Sequence, residues 1–167
     1  DQEFCKKYRP DYDPEKAKAL LAEMGFGEDN PLETALIVWT GGNRQKLAEI
    51  FQAQLAEVNI KAEIEIMDIG SMNARVRQEN ENKSGTKGSM DMMTWSWYDP
   101  DILYALWHTP GAYRGYTTPE LDKLLEETRV LSDPADRKAV VQEVFKHLLE
   151  NGVHIPLYTP GWEWVFA

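Results

Sequence analysis

The run Thr94-Trp95-Ser96-Trp97-Tyr98-Asp99-Pro100-Asp101 places two indoles, a phenol, hydroxyls and two carboxylates in one short stretch. Such a set can stack on a ligand and orient it: aromatic rings supply contact area, and a few polar groups fix direction. The same residues have a purely structural reading, in which Trp95 belongs to the core and Asp99-Pro100 caps a short helix. Two close carboxylates also raise acid–base chemistry, as in glycoside hydrolysis. Asp99 and Asp101 are two apart, however, and a helix starting at Pro100 would turn them away from each other.

Other candidates are weaker. His108, His147 and His154 lack metal-ligand spacing, and Cys5 is remote from them. A transition-metal site would require His108 to pair with Asp99 or Asp101; structural roles are expected, with no catalytic residue, no metal and no cofactor. Thr40-Gly41-Gly42-Asn43 reads as a tight turn from a strand into a helix, with Asn43 as N-cap. That is also the geometry of an anion site, but the full Gly-rich fingerprint is missing. No nucleophile-elbow or P-loop motif is present.

The elements that must position these residues follow from periodicity. Thr34–Trp39 is a continuous apolar run, expected as a strand covered on both faces. Ile60–Met67 alternates apolar with charged residues and is the second strand; Met90–Trp95 is the third, so the aromatic run would fall at its carboxyl end. Helices are expected after Asp13-Pro14 (apolar face Ala17, Leu20, Leu21, Met24, stopped at Gly25) and along Leu47, Ile50, Phe51, Leu55 and Val58. Others are expected after Ser71, Thr118-Pro119 and Asp133-Pro134, the last stopped by Asn151-Gly152. Gln78–Ser89 reads as a surface loop, Val153–Tyr158 as an edge strand because of Pro156, and Trp162–Phe166 as a strand without a partner. Strand–helix alternation predicts an α/β fold with a mostly parallel central sheet and helices on both faces. In such sheets ligands gather at the carboxyl ends of the strands.

The 167 residues suffice for one domain with a real core. With 18 Lys+Arg against 28 Asp+Glu the formal net charge is −10, which opposes a phosphate backbone, so no nucleic-acid partner is expected. The only basic run, Lys6, Lys7 and Arg9, reads as a solvated tail. No stretch has the roughly 18 apolar residues of a membrane span, and neither a secretory signal nor a lipidation context around Cys5 is read.

Tyr12-Asp13-Pro14-Glu15-Lys16-Ala17-Lys18-Ala19-Leu20-Leu21, Gln52-Ala53-Gln54-Leu55 and Ile60-Lys61-Ala62-Glu63-Ile64 stand in that order. They are followed by the Trp95–Asp101 run, Gly115-Tyr116-Thr117-Thr118-Pro119-Glu120-Leu121-Asp122-Lys123-Leu124-Leu125 and Ile155-Pro156-Leu157-Tyr158. The ordered set resembles the C-terminal lobe of the family 5 extracellular solute-binding proteins, the oligopeptide, dipeptide and nickel-binding receptors of ABC importers. The resemblance implies a periplasmic binding protein type II-like fold and makes residues 1–167 a single ligand-binding lobe, a fragment of a longer two-lobe protein. The ligand would close between the lobes by a hinge motion.

The resemblance also implies a bacterial periplasmic or cell-surface location, a small solute (peptide, oligosaccharide or similar) and a membrane permease as partners, and no enzymatic activity. The expected ligand-binding residues are Trp39, Thr40, Trp95, Trp97, Tyr98 and Asp99, with Asp101 and Trp107 at the rim or, for Trp107, in the core. Peptide-binding relatives place an acidic residue shortly after the equivalent of Trp95, and dipeptide readers an arginine in the loop after the first strand. Here Trp97-Tyr98 and Thr40-Gly41-Gly42 stand in those places, so both charge anchors look absent. An aromatic rim would then suit a sugar, a longer peptide or another polar organic solute.

Overall fold

A computed structural model describes residues 2–81, 88–93, 98–109 and 116–157. In chain order these form α1 (Gln2–Tyr8), α2 (Pro14–Glu23), β1 (Leu32–Trp39), α3 (Arg44–Ala56), β2 (Ile60–Met67), α4 (Ile69–Glu81), β3 (Ser89–Met92), α5 (Ile102–Trp107), α6 (Pro119–Val130) and α7 (Pro134–Glu150). They gather into two compact units, one from Tyr12 to Asp122 and one made of the described residues up to Asp11 and from Lys123.

The first unit is built on a three-stranded sheet in the order β2-β1-β3. Both pairings are parallel, with Leu36 opposite Ile64 on one side and Met90 on the other. The central strand explains its own composition: Ala35, Leu36, Ile37 and Val38 are all buried, because helices cover both faces. Leu36 and Val38 pack with Ala48 of α3, Ala62 of β2 and, at the margin, Phe51, Leu55 and Met90. Ala35 and Ile37 face the other way, onto Met72 of α4. The flanking strand β2 keeps its alternation. Ala62 and Ile64 turn to the α3 side, while Lys61 pairs with Glu33 at 3.1 Å and Glu65 with Arg75 at 3.5 Å. Two side-chain bonds tie helix and loop to the sheet: Gln52 Nε2 donates to the Ala62 carbonyl at 2.7 Å, and the Thr34 hydroxyl donates to the Gly88 carbonyl at the entry to β3.

Helix ends fall where the sequence signals them, with instructive exceptions. The Asp13 carboxylate accepts the Lys16 N–H at 2.9 Å at the start of α2. At its end the Phe26 N–H reaches Leu21 O and the Gly25 N–H reaches Ala22 O, a Schellman pair with Gly25 at φ 87°. Only Leu21 of α2 is buried; Leu20 and Met24 are exposed, as is Ile50 of α3, because each helix buries a narrower stripe than its apolar residues could cover. Helix α4 starts at Asp68 rather than at Ser71. The Asp68 carboxylate accepts the N–H groups of Gly70 and Ser71 at 2.9 and 3.0 Å, and the Ser71 hydroxyl donates to it as well. The helix then continues to Glu81, through residues that read as a loop.

In the second unit α1 and α7 pack together. The segment carrying Lys6 and Lys7 is therefore a short helix rather than a tail, although both lysines stay exposed. Its aromatic residues explain the packing: Phe4 and Tyr8 lie 4.8 Å apart, and the Lys146 ammonium of α7 sits 5.7 Å from the Tyr8 ring. The ammonium of Lys146 is held above the ordinary lysine range by its hydrogen bond to Glu143 and the charges of Glu143 and Glu150. Asp133 caps α7 by accepting two N–H groups, from Ala135 at 2.8 Å and Asp136 at 3.1 Å. The Gly152 N–H to Leu149 O and Val153 N–H to Leu148 O bonds close the helix in a second Schellman pair. Beyond it Val153–Leu157 is irregular and mostly exposed rather than an edge strand; Pro156 removes a donor that a ladder would need. Trp162–Phe166 lies outside the described residues.

Candidate ligand-binding site

The strand order gives the sheet one point of reversal. From β1 the chain goes to β2 on one side, then returns past β1 to β3, so its direction reverses beside the carboxyl end of β1. An open parallel sheet forms its crevice at such a point. Trp39 and Thr40, two of the expected residues, stand there. Trp39 is the last residue of β1, half-buried with Met67 and Met93 against the Ala35–Ile37–Met72 cluster. Thr40 is exposed, and its N–H continues the ladder to the Met67 carbonyl at 2.9 Å.

The turn that follows is shaped by glycine. Gly41 has φ 107° and Gly42 φ 65°, values that L side chains resist. Asn43 occupies the N-cap position of α3 but makes no side-chain cap bond. Arg44 closes the turn instead. Its guanidinium carbon lies 4.3 Å from the centroid of the Trp39 ring, and its Nη1 donates to the Gly41 carbonyl at 2.9 Å. A cation thus does stand beside the loop after β1, where the sequence reading found none. Nothing in linear spacing marks Arg44, because the contact depends on the chain doubling back through two positive-φ glycines. Among the described residues the buried Trp39 indole Nε1 has no hydrogen-bond partner, an unusual state for a buried donor.

Tyr98 and Asp99 lie in the turn entering α5. Tyr98 is fully exposed. Asp99 Oδ1 accepts the Asp101 N–H at 2.8 Å inside the turn, whereas the N-cap of α5 is Asp101, which makes no side-chain cap bond; the helix expected to start at Pro100 starts two residues later. Trp107 is buried beside Leu103 and Leu106 in α5 and belongs to the core. His108 is buried and stacks on Tyr104 with ring centroids 4.0 Å apart. Trp95 and Trp97 lie outside the described residues. At the end of β2, Asp68 is committed to the start of α4; the hydroxyl and backbone N–H of Ser71, with the Gly70 N–H, hold its carboxyl below the usual carboxylate range. Among the described residues no three His, Cys, Asp or Glu side chains cluster as metal ligands, and no helix is long and apolar enough to cross a membrane.

A parallel sheet ordered 2-1-3 with helices on both faces describes the fold of the periplasmic binding protein type II class. Solved structures agree. The protein DppA from Helicobacter pylori, in complex with the peptide STSA, superposes with a TM-score of 0.66 at 26% identity over 84% of this chain and 28% of its own. NikZ from Campylobacter jejuni, in complex with Ni(L-His), shares the fold with a TM-score of 0.67 at 21% identity over 84% of this chain and 30% of its own.

The sequence model for bacterial extracellular solute-binding proteins, family 5 Middle, matches residues 2–114, and the chain belongs to that family. It is 29% identical to di/tripeptide-binding protein 2 of Pseudomonas aeruginosa over 89% of this chain and 29% of that protein. It is also 29% identical to the glutathione-binding protein GsiB of Escherichia coli K12, over 92% of this chain and 31% of that protein. The chain therefore spans about 30% of the length of these relatives.

Proposed function

We propose that this chain is one ligand-binding lobe of the solute receptor of a bacterial ABC importer, working in the periplasm or at the cell surface. The solute is a peptide, closed between this lobe and a second one, and the loaded receptor docks on a membrane permease. The observation that carries this reading is the corner at the carboxyl end of β1, where Trp39, Thr40 and the Gly41–Gly42 turn stand at the reversal of strand order in a chain of this family. Trp95, Trp97, Tyr98 and Asp99 complete the proposed wall, with the indoles as contact surface and the polar groups as hydrogen-bonding partners.

The reading is of a receptor, not an enzyme. Asp99, the residue a hydrolase would need, already accepts a backbone N–H of its own turn. The relatives named for di/tripeptides and glutathione favour short peptides over oligosaccharides. The test is calorimetric titration of the complete protein with di- and tripeptides, glutathione, nickel–histidine and an oligosaccharide, repeated on Trp97→Ala. Saturable peptide binding that weakens in the variant is expected. Binding of the oligosaccharide alone would overturn the peptide reading, and peptide binding untouched in Trp97→Ala would remove Trp97 from the site.

A further inference from the structure

We infer that Arg44 is a positioning residue, which sets the plane of the Trp39 indole at the carboxyl end of β1; its bearing on solute binding rests on the reading above. The argument starts from what holds a tryptophan ring in place. A buried indole is usually fixed by a hydrogen bond from its N–H, and the Trp39 Nε1 has none among the described residues. Ring orientation then depends on what lies against its faces. Trp39 packs beside Met67 and Met93 against the cluster that holds Met72, and thioethers with three rotatable bonds adapt to a ring rather than fix it.

The rigid contact is the planar guanidinium, 4.3 Å from the ring centroid. Arg44 is itself immobilised: Nη1 is bonded to the Gly41 carbonyl at 2.9 Å, and a Cβ on Gly42 would lie 3.4 Å from that nitrogen. One edge of the guanidinium is thus spent on the turn and one face on the indole. This differs from a charge anchor, which would hold its fork free for a carboxylate. The positive-φ glycines let the chain double back, Arg44 returns across the turn, and the indole is presented at a fixed angle on the end of a buried strand.

Two arms test this on the complete protein. In the first, the tryptophans are replaced by 5-fluorotryptophan, and the fluorine resonance of Trp39 is assigned by its loss in Trp39→Phe. Arg44→Ala is expected to shift and broaden that resonance while the other tryptophan signals stay in place; an unmoved Trp39 signal overturns the inference. In the second arm, binding of tri-alanine and tri-alaninamide is measured in a double-mutant cycle. Arg44→Ala is expected to weaken both ligands by the same factor, about two- to fivefold for loss of one partly exposed cation–π contact. In a Trp39→Ala background it should weaken neither further. Additive losses, or a loss confined to the free acid, would mean that Arg44 acts on the solute directly and would overturn the inference. If the unmodified protein binds neither tripeptide, the peptide reading fails and the fluorine arm alone decides the role of Arg44. That arm does not require Trp39→Ala to fold.

Discussion

Gly42 and Gly152 form a natural pair for testing the turn after β1, because they share a backbone conformation and differ in surroundings. Their φ angles are 65° and 63°. A Cβ on Gly152 would meet nothing within 4 Å, whereas one on Gly42 would stand 3.4 Å from the Arg44 guanidinium. An L-residue in the left-handed region costs about 1–2 kcal/mol, and replacing Gly with Ala returns roughly 0.4–1 kcal/mol by narrowing the unfolded ensemble. The net expectation is a loss of about 1 kcal/mol at each site. With a urea m-value of about 2 kcal/mol/M for a small protein, that is a fall of about 0.5 M in the midpoint.

Circular dichroism in urea reads the stability, and fluorescence, compared with that of Trp39→Phe to isolate its share among the six tryptophans, reads Trp39. Gly152→Ala should lose stability with native fluorescence. Gly42→Ala should lose a similar amount and also shift the tryptophan emission, since the new methyl comes into contact with the guanidinium that lies over the indole. Gly42→Asn should regain much of the loss, because Asn tolerates positive φ. A Gly42→Ala protein with an unchanged midpoint would refute the claim that this turn needs glycine.

Four further outcomes follow from named residues. Asp133→Ala removes the acceptor of two N–H groups at the start of α7 and should cost about 1 kcal/mol, read by thermal unfolding. Ile37→Ala, at a fully buried position of the central strand, should cost about 2–5 kcal/mol. Leu20→Ala, half exposed on α2, should stay within about 0.5 kcal/mol; equal losses would contradict the assigned core. Asp68 titrates below the ordinary aspartate range when folded, so its contribution to stability is complete above its unfolded pKa and is lost as pH falls through the lowered folded value. Ser71→Ala, which removes the largest cause, should move the Asp68 carboxyl resonance midpoint upward in an NMR titration; an unmoved midpoint would reject the assignment.

Much of this architecture was legible because local signals and burial agree. The continuous apolar run of β1 reads as a strand covered on both faces, and four successive residues are indeed buried. The alternation of β2 reads as a strand with one polar face, and its charges pair across that face. Asp13-Pro14 and Asp133-Pro134 carry the whole instruction for a helix start within three residues, so the caps fall in place. The misreadings arise where the decisive partner lies elsewhere in the chain. Leu20, Met24 and Ile50 are apolar at helical spacing, yet only tertiary contact decides which of several apolar positions is covered. Ser71 and Asp68 both have capping side chains; the structure selects Asp68 because β2 ends at Met67 and delivers the carboxylate beneath the first free N–H groups.

The site divides along the same line. The place proposed for it follows from the order of strands and helices, since a central parallel strand ends where the flanking connections part. Its chemistry was only half readable. Composition pointed to Trp39 and the double glycine, but the absence of an arginine within Thr40-Gly41-Gly42 suggested a corner without a cation. Geometry adds a cation all the same: a turn with two positive φ angles lets Arg44, two residues beyond Gly42, fold back so that it reaches Gly41 and Trp39 from outside the loop. A loop's charge is therefore set by residues that fold back onto it as well as by those within it, and tight glycine turns make that distinction largest. The same physics would tie the stability of the turn to the orientation of the Trp39 ring. Any substitution that stiffens or opens the Gly41–Gly42 turn must also release the guanidinium from the indole, so turn strain and ring orientation at β1 should rise and fall together.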